Sequence, residues 1–312
     1  MRTLVVGAGA TGGYFGGRLV QAGRDVTFLV RPERAARLAE SGLTIKSPVG
    51  DAFLPSPPTV LAGQLHQHYD FVLLSCKSYD LDSAIDAFAP AVGPDTAVVP
   101  LLNGMRHLDV LDARLGPGHA LGGQCLISSR LDAAGRIVHL NDVHSITFGA
   151  RNAAQERLVK AVAAIMEGAA FESRVSKDIV LDMWEKWVFL ATLAGITCLA
   201  RAAVGDLVRA GGSFIGLELL EECRSIAAAA GRAPRAAFYA RGRERLLDAN
   251  STLIASMLGD LERGSRTEAD HILGDLLARR GGDATSDRSL LWIVYAAVKA
   301  AEARQVREHA GA

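Results

Sequence analysis

The sequence predicts an α/β chain in which a Rossmann-type, doubly wound parallel sheet is followed by a second, all-helical C-terminal domain. Three observations carry this prediction. An apolar strand runs straight into a Gly-x-Gly-x-x-Gly turn at Gly7, Gly9 and Gly12. Short β-rich runs then alternate with helical stretches up to about residue 174. From about Ser176 onward the apolar period becomes that of long helices, with almost no β-rich run. At 312 residues the chain is long for one core, and it divides into expected domains 1–174 and 175–312.

The first strand spans Thr3 to Val6, and the turn after it has the setting of a dinucleotide fingerprint. Gly7 allows a tight turn, Gly9 removes a Cβ from the path of a pyrophosphate, and Gly12 lets the helix through Tyr14, Leu19 and Val20 lie close on the sheet. The helix amides then donate to the phosphates. Gly7, Ala8, Gly9, Ala10, Thr11 and Gly12 are therefore cofactor-binding candidates, the alternative being a glycine-rich turn without a ligand.

The second strand, Val26 to Val30, lacks the acidic residue that would bind the ribose 2′-hydroxyl of NAD, and Asp25 lies at its wrong end. It runs instead into Arg31-Pro32-Glu33-Arg34, two guanidiniums suited to a 2′-phosphate. NADP(H) is the expected cofactor, with Arg31 at the strand end; Arg34 reads equally well as a solvated helix residue.

Further along, helices are expected over Glu33 to Glu40, Leu81 to Ala91 and His107 to Ala113. Strands are expected over Phe71 to Ser75, Ala97 to Leu101 and Leu121 to Ile127. Arg136 to Leu140 and Ser145 to Phe148, separated by Asn141-Asp142, predict a hairpin that closes the sheet. In the helical half the segments are Asp178 to Arg209, Phe214 to Ala230, Arg235 to Ala249, His271 to Arg280 and Ser286 to Arg304. Gly231, Pro234, Gly264 and Gly281-Gly282 punctuate them, and His309 to Ala312 reads as a disordered tail.

Charge and composition exclude several classes of function. The 34 basic residues balance 34 acidic ones, so no global field draws the chain to nucleic acid or an anionic membrane. The longest uncharged apolar run, Trp187 to Ala200, has 14 residues. That is short of the roughly 18 that suggest a membrane span, and it reads as a buried core helix. Cys76, Cys125, Cys198 and Cys223 form no CxxC and no metal-like cluster with the histidines, so reduced thiols and no metal site are expected. No tripartite signal follows Met1, which gives the cytoplasm as the expected location.

Three polar sites stand out. Asn103, in Leu101-Leu102-Asn103-Gly104-Met105, follows a strand at its carboxyl end, the edge that faces ligand in an open α/β sheet. Asn-Gly is also a common turn dipeptide. Lys77, in Ser75-Cys76-Lys77-Ser78, has the same placement and reads either as a cofactor neighbour or as a solvated loop lysine. Lys186 opens the uncharged run in line with Leu190, Ala194 and Thr197, so its ammonium projects from a largely apolar face unless it reaches solvent. Burial makes a lysine a better proton donor near neutrality. Finally Ser256 and Glu268 lie in a stretch where one helix ends and another starts, with Ser265 or Thr267 as a cap; Glu268 also reads as a dipole-stabilising residue.

In order along the chain, GAGATGG, Arg31, SCKSYD, LLNGM, MWEKW, SMLGDLERG and RTEADHI resemble the ketopantoate reductase (2-dehydropantoate 2-reductase) family, over residues 7 to about 273. The resemblance implies an NADPH-binding N-terminal domain and a helical C-terminal domain with the active site in the cleft between them. It implies reduction of a small 2-oxo acid, as in pantothenate biosynthesis, with no nucleic-acid or membrane partner and a homodimer as the assembly to test. By similarity Lys186 is the general acid, Glu268 orients Lys186 or the substrate, Asn103 and Ser256 hold substrate or cofactor, Arg31 binds the 2′-phosphate and Lys77 lies beside the cofactor. One departure stands out. The pantoate-forming enzymes usually carry asparagines one and two turns after the lysine, where this chain has Leu190 and Ala194. Two rivals follow: a paralogue reducing a less polar oxo acid, and a cofactor-binding protein without catalysis, against which the presence of both Lys186 and Glu268 argues.

Overall fold

The computed structural model describes residues 1–280 and 289–310. Contacts divide the chain into two compact units, Met1–Leu102 with His107–Val180, and Asn103–Arg106 with Leu181–Ala312.

The first stretch runs β1 (Arg2–Val6), α1 (Ala10–Gln21), β2 (Asp25–Leu29), α2 (Pro32–Ser41), β3 (Leu43–Lys46), β4 (Ala52–Leu54), β5 (Thr59–Val60) and β6 (Tyr69–Leu74). It continues through α3 (Leu81–Phe88), β7 (Val92–Pro100), α4 (Arg106–Leu115), β8 (Gly122–Leu131), β9 (Ile137–Gly149), α5 (Glu156–Met166) and β10 (Glu172–Val175). Five strands pair in parallel in the order β5-β2-β1-β6-β7. β1 lies in the middle, and its side chains alternate between two cores. Leu4 and Val6 pack with Val72, Val98, Ile85 and Phe88, whereas Val5 packs with Phe15, Phe28, Phe71 and Val162. A strand covered on both faces must be apolar at every position, which is why Leu4-Val5-Val6 reads as an unbroken run.

The remaining strands form a second sheet in the order β10-β9-β3-β4, with β8 antiparallel on β9. This corrects two expectations. Residues 136–140 and 145–148 are not hairpin arms: β9 is one 13-residue strand that passes through Asn141-Asp142. β8 pairs along it from Gly122↔Gly149 to Leu131↔Ile137, so ladder partners are present on both sides of the Asn-Asp pair. The reversal falls earlier, where the Gly135 N–H bonds Asp132 O at 2.9 Å and Gly135 has φ +75°. Accordingly the strand expected at 121–127 belongs to this sheet and touches the line of β7 at the Val98↔Ala120 bridge.

The second unit is helical among the described residues. Its elements are α6 (Ile179–Ala200), α7 (Val204–Arg209), α8 (Ser213–Ala229), α9 (Ala236–Leu247), α10 (Ser256–Glu262), α11 (Asp275–Ala278) and α12 (Leu290–Ala310), with a π turn at Asp270–Gly274 leading into α11. α6 is its spine. A Cβ on Gly195 would stand 2.7 Å from Leu219 of α8 and 3.0 Å from Val294 of α12, so α6 is packed on several sides and is apolar around most of its girth. The single helix expected over 178–209 is broken, because Arg201 takes φ 53°, which ends the right-handed ladder. Asp206 then accepts the Ala203 N–H at 3.1 Å and starts α7.

The helix expected over 271–280 is the π turn followed by one turn of α11. α12 reaches Ala310, so the tail expected to be disordered from His309 is still helical there. Gly281-Gly282, Ser286 and the last two residues lie outside the described residues. No described helix is long and apolar enough to cross a membrane, and no group of three or more His, Cys, Asp or Glu among the described residues could hold a metal ion. Cys198 and Cys223 are buried, and burial pushes both thiols up to about 12.

Candidate active site

In the first unit the chain leaves β1 and turns at Gly7, φ +93°, with the Gly7 N–H held by Leu29 O at 2.9 Å. Gly9 is the N-cap of α1 and contributes no side-chain cap, so the first amides of the helix are available to an anion. The glycines serve different ends. A Cβ on Gly12 would sit 2.2 Å from Gly7 O and 2.0 Å from Ser75 Oγ, so only glycine fits there. A Cβ on Gly9 would meet nothing within 4 Å, so nothing in the protein's packing demands glycine at that position. Ser75, at the end of β6, shares its hydroxyl proton between Val6 O at 3.0 Å and Gly7 O at 3.3 Å and so pins the turn.

Around this turn three cations gather in two assemblies. Arg31 is the N-cap of α2, with its side chain 74% exposed and bonded to Asp80 Oδ1 at 2.8 Å. That hydrogen bond holds the Arg31 pKa above its ordinary value. Asp80 in turn donates its N–H to Lys77 O at 2.9 Å, which joins the half-buried Lys77 loop to Arg31. Arg34 is not a solvated helix residue. Its Nε donates to Ala8 O at 3.0 Å and one terminal nitrogen to Gly135 O at 3.1 Å, while the other terminal nitrogen is buried without a hydrogen-bond partner. Burial, and then the nearby Arg37, push its pKa down. A buried guanidinium N–H with no acceptor, beneath an open Gly9 and a helix N-terminus, is the donor set that a phosphorylated dinucleotide fits.

In the second unit, α6 carries Lys186 half-buried between Trp184-Glu185 and Trp187, all three buried. Trp187 donates its indole N–H to Ile272 O at 2.9 Å, and the Ile272 N–H donates to Glu268 O at 2.9 Å. The turn of Lys186 is thereby tied to the turn of Glu268. Thr267 fills the cap position, its hydroxyl accepting the Ala269 N–H at 3.2 Å. Asn103 reaches the same place through His271, which bonds the Asn103 main chain and lies 3.1 Å from where a Gly104 Cβ would stand. Burial holds the His271 pKa below its ordinary value, so the ring is neutral near pH 7.

Ser256, exposed at the first turn of α10, is placed differently. Its neighbour Ala255 donates its N–H to Thr197 Oγ1 at 3.4 Å, three turns along α6 from Lys186, about 16 Å of helix rise. The turns that carry Lys186 and Glu268 and the main chain of Asn103 are therefore linked to one another, and Ser256 is tethered farther along the same spine. Ala194 is 0% exposed and Leu190 half-buried. Among the other polar groups, Thr197 donates to Leu193 O at 2.7 Å, Ser251 Oγ accepts the Leu253 N–H at 3.2 Å, and the exposed Asn250 Oδ1 accepts from Arg209 at 3.4 Å.

Residues 3–153 match the family model for ketopantoate reductase PanE/ApbA, and residues 178–302 match that for the ketopantoate reductase PanE/ApbA C terminal. The chain belongs to the ketopantoate reductase family. It is an oxidoreductase that works with a nicotinamide cofactor. Within the family it is 35% identical over 280 residues to the uncharacterized oxidoreductase YkpB of Bacillus subtilis (strain 168), covering 89% of this chain and 92% of that one. It is 25% identical over 298 residues to the 2-dehydropantoate 2-reductase of Mesorhizobium japonicum, covering 88% and 89%. Among solved structures, the ternary structure of D-mandelate dehydrogenase with NADH and anilino(oxo)acetate shares the fold, with a TM-score of 0.86 at 21% identity over 98% of this chain and 99% of that one.

Sequence reasoning left Arg34 open and passed over Asp80 and His271. The spacing of Arg34 from Arg31, three residues along the first turns of α2, was its one available signal. Asp80 and His271 act through contacts distant in sequence, which no local pattern announces.

Proposed function

We propose that this protein is an NADPH-dependent reductase that converts a 2-oxo acid with an apolar side chain to the 2-hydroxy acid. The observation that carries the substrate class is the helix face beyond Lys186. Leu190, half-buried one turn beyond Lys186, offers no amide, and Ala194, two turns on, is 0% exposed and presents no group to a substrate. A polyhydroxylated acid would leave hydroxyls unpaired against such a face. The choice of NADPH rests on Arg31 at the end of β2, the unpartnered nitrogen of Arg34, and the absence of an acid in their place. Lys77, whose main chain accepts the N–H of the Asp80 that pairs with Arg31, adds a third cation after the end of β6.

When bound, the reduced nicotinamide supplies a hydride to the carbonyl carbon. The chain's own residues do the rest. Lys186 donates a proton to the carbonyl oxygen as negative charge gathers there. Glu268 orients Lys186 or the substrate, and Asn103 holds substrate or cofactor; Ser256, beside Thr197 three turns of α6 from Lys186, stands too far along the helix to reach the reacting carbonyl. The amides after Gly9 take the pyrophosphate. A second reading, reduction of 2-dehydropantoate itself, is favoured by the Mesorhizobium relative. Following NADPH consumption with a panel of 2-oxo acids tests both: turnover with none of them leaves only the non-catalytic rival, and a higher kcat/KM for 2-dehydropantoate than for every apolar acid favours the second reading.

A further inference from the structure

We propose that Gly135, in the turn between β8 and β9, is a positioning residue for NADPH selectivity: its carbonyl holds the Arg34 guanidinium against the glycine turn, and its lack of a side chain leaves room for Arg34 and Arg37 to stand together. This rests on reading the end of β2 and the start of α2 as the seat of the 2′-phosphate.

The turn is fixed by its own bonds. The Asp132 N–H donates to Arg136 O at 3.0 Å and the Gly135 N–H to Asp132 O at 2.9 Å, while Asp132 Oδ1 accepts the Arg136 N–H at 2.9 Å. Asp132 Oδ2 accepts from Arg136 Nε at 2.7 Å, so the charge of Arg136 is matched inside the turn. Ala133 and Ala134 are exposed, as hairpin tips are, but Gly135 is buried. Its cover comes from α2. A Cβ at residue 135 would lie 2.8 Å from Arg37 Cδ, 3.0 Å from an Arg37 terminal nitrogen and 3.1 Å from one of Arg34. These are the ends of flexible side chains, so a substitution there moves the arginines and leaves the backbone in place.

Two main-chain carbonyls far apart in sequence orient Arg34. Its Nε donates to Ala8 O at 3.0 Å and a terminal nitrogen to Gly135 O at 3.1 Å, so one planar fork spans the glycine turn and the β8–β9 turn. The remaining nitrogen is covered and has no hydrogen-bond partner. No carboxylate among the described residues pairs with Arg34, and Arg37 works against its charge. Arg37 itself has Glu33 at 3.8 Å, a loose and exposed pair that is worth little. Two guanidiniums held together with so little counter-charge are matched by a doubly charged anion. The 2′-phosphate of NADPH is such an anion, and the 2′-hydroxyl of NADH is not.

The test compares two left-handed glycines in the full-length protein. Gly135 has φ +75°, and asparagine tolerates such backbone, so Gly135→Asn separates the crowding of Arg34 and Arg37 from strain. Gly168→Asn is the control, with φ +72° and no atom within 4 Å of its Cβ. NADPH and NADH affinities are read by titration of nicotinamide fluorescence. Gly135→Asn is expected to weaken NADPH binding about fivefold or more, with NADH binding unchanged within about twofold, whereas Gly168→Asn changes neither. Arg34→Lys, which keeps a charge but not the fork, is expected to lose selectivity to the same degree. A merely structural turn predicts instead that Gly135→Asn weakens both cofactors equally, and that result overturns the proposal. A preference kept in Gly135→Asn but lost in Arg34→Lys also overturns it, and leaves Arg34 in the site without the turn. A wild-type protein that binds NADH as tightly as NADPH overturns the 2′-phosphate reading, and the role of Gly135 falls with it. If Gly135→Asn does not fold, Gly135→Ala against Gly168→Ala gives the same comparison, with the same outcomes deciding it.

Discussion

Gly9→Ala separates the cofactor's demands from the fold's. A Cβ built at Gly9 meets no atom within 4 Å, and the residue has φ −80° and ψ −162°, extended backbone open to alanine. No packing is lost and none is crowded. The cost of alanine at an N-cap relative to glycine, about 0.5–1 kcal/mol, is offset by the reduced freedom of the unfolded chain, about 0.4–1 kcal/mol. Stability should therefore stay within about 0.5 kcal/mol of wild type, as surface substitutions do. Affinity should not. The new methyl occupies the space through which a pyrophosphate must approach the amides after Gly9, and loss of even one charge-assisted hydrogen bond, about 1.5–3 kcal/mol, means roughly tenfold weaker binding or more. Gly12→Ala is the counterpart: its Cβ would lie 2.2 Å from a backbone oxygen, and overpacking of that kind costs about 1–3 kcal/mol. Urea denaturation and NADPH titration by nicotinamide fluorescence read the two quantities. Unchanged NADPH affinity in Gly9→Ala, or unfolding as severe as in Gly12→Ala, would refute the assignment of the turn to phosphate.

Other predictions follow from the same geometry. NADPH should bind at least about tenfold more tightly than NADH, and Arg31→Ala and Arg34→Met should each reduce that preference; equal affinities in wild type would remove the 2′-phosphate from the account. His144 bonds the Tyr14 hydroxyl at 2.7 Å, and burial, then His139 and Arg18, hold its pKa below the ordinary 6.5. The unfolded chain thus takes up this proton first on acidification, so the contribution is full above about pH 6.5 and lost as pH falls below it. Urea midpoints at about pH 7.5 and 5.5 should show that loss, smaller in His144→Gln. Leu190→Asn/Ala194→Asn should shift kcat/KM toward 2-dehydropantoate, by roughly fivefold or more for each hydroxyl satisfied. A native enzyme that already prefers 2-dehydropantoate, and loses that preference in the double variant, would mean that other groups hold the substrate.

What the sequence disclosed was mostly local. Leu4-Val5-Val6, the glycine turn and α1 are contiguous, and a central strand covered on both faces has no polar position to blur it. β3, β4 and β10 were illegible because each is four residues or fewer and is defined by partners far along the chain. Asn141-Asp142 carried the composition of a turn but lies inside β9, in the stretch between His139 and His144 where the register against β8 shifts and the strand bulges instead of reversing. Arg201 ends α6 with a left-handed residue that is neither glycine nor asparagine, so no breaker marked it. In the site, Gly7, Gly9, Gly12 and Lys186 could be singled out from spacing and apolar setting. Arg34 under Ala8 and His271 against Asn103 are pairings of residues 26 and 168 positions apart, and only folding brings them together.

The central claim is that a nicotinamide-linked reduction of a 2-oxo acid is completed by a proton from Lys186. The most direct measurement is single-turnover reduction of an apolar 2-oxo acid by NADPH-loaded enzyme, wild type against Lys186→Ala, followed by the loss of reduced-nicotinamide absorbance. The account predicts a rate about 10² lower or more in the variant, the usual worth of general-acid catalysis, with NADPH affinity unchanged. A variant that reduces the acid at the wild-type rate would contradict it.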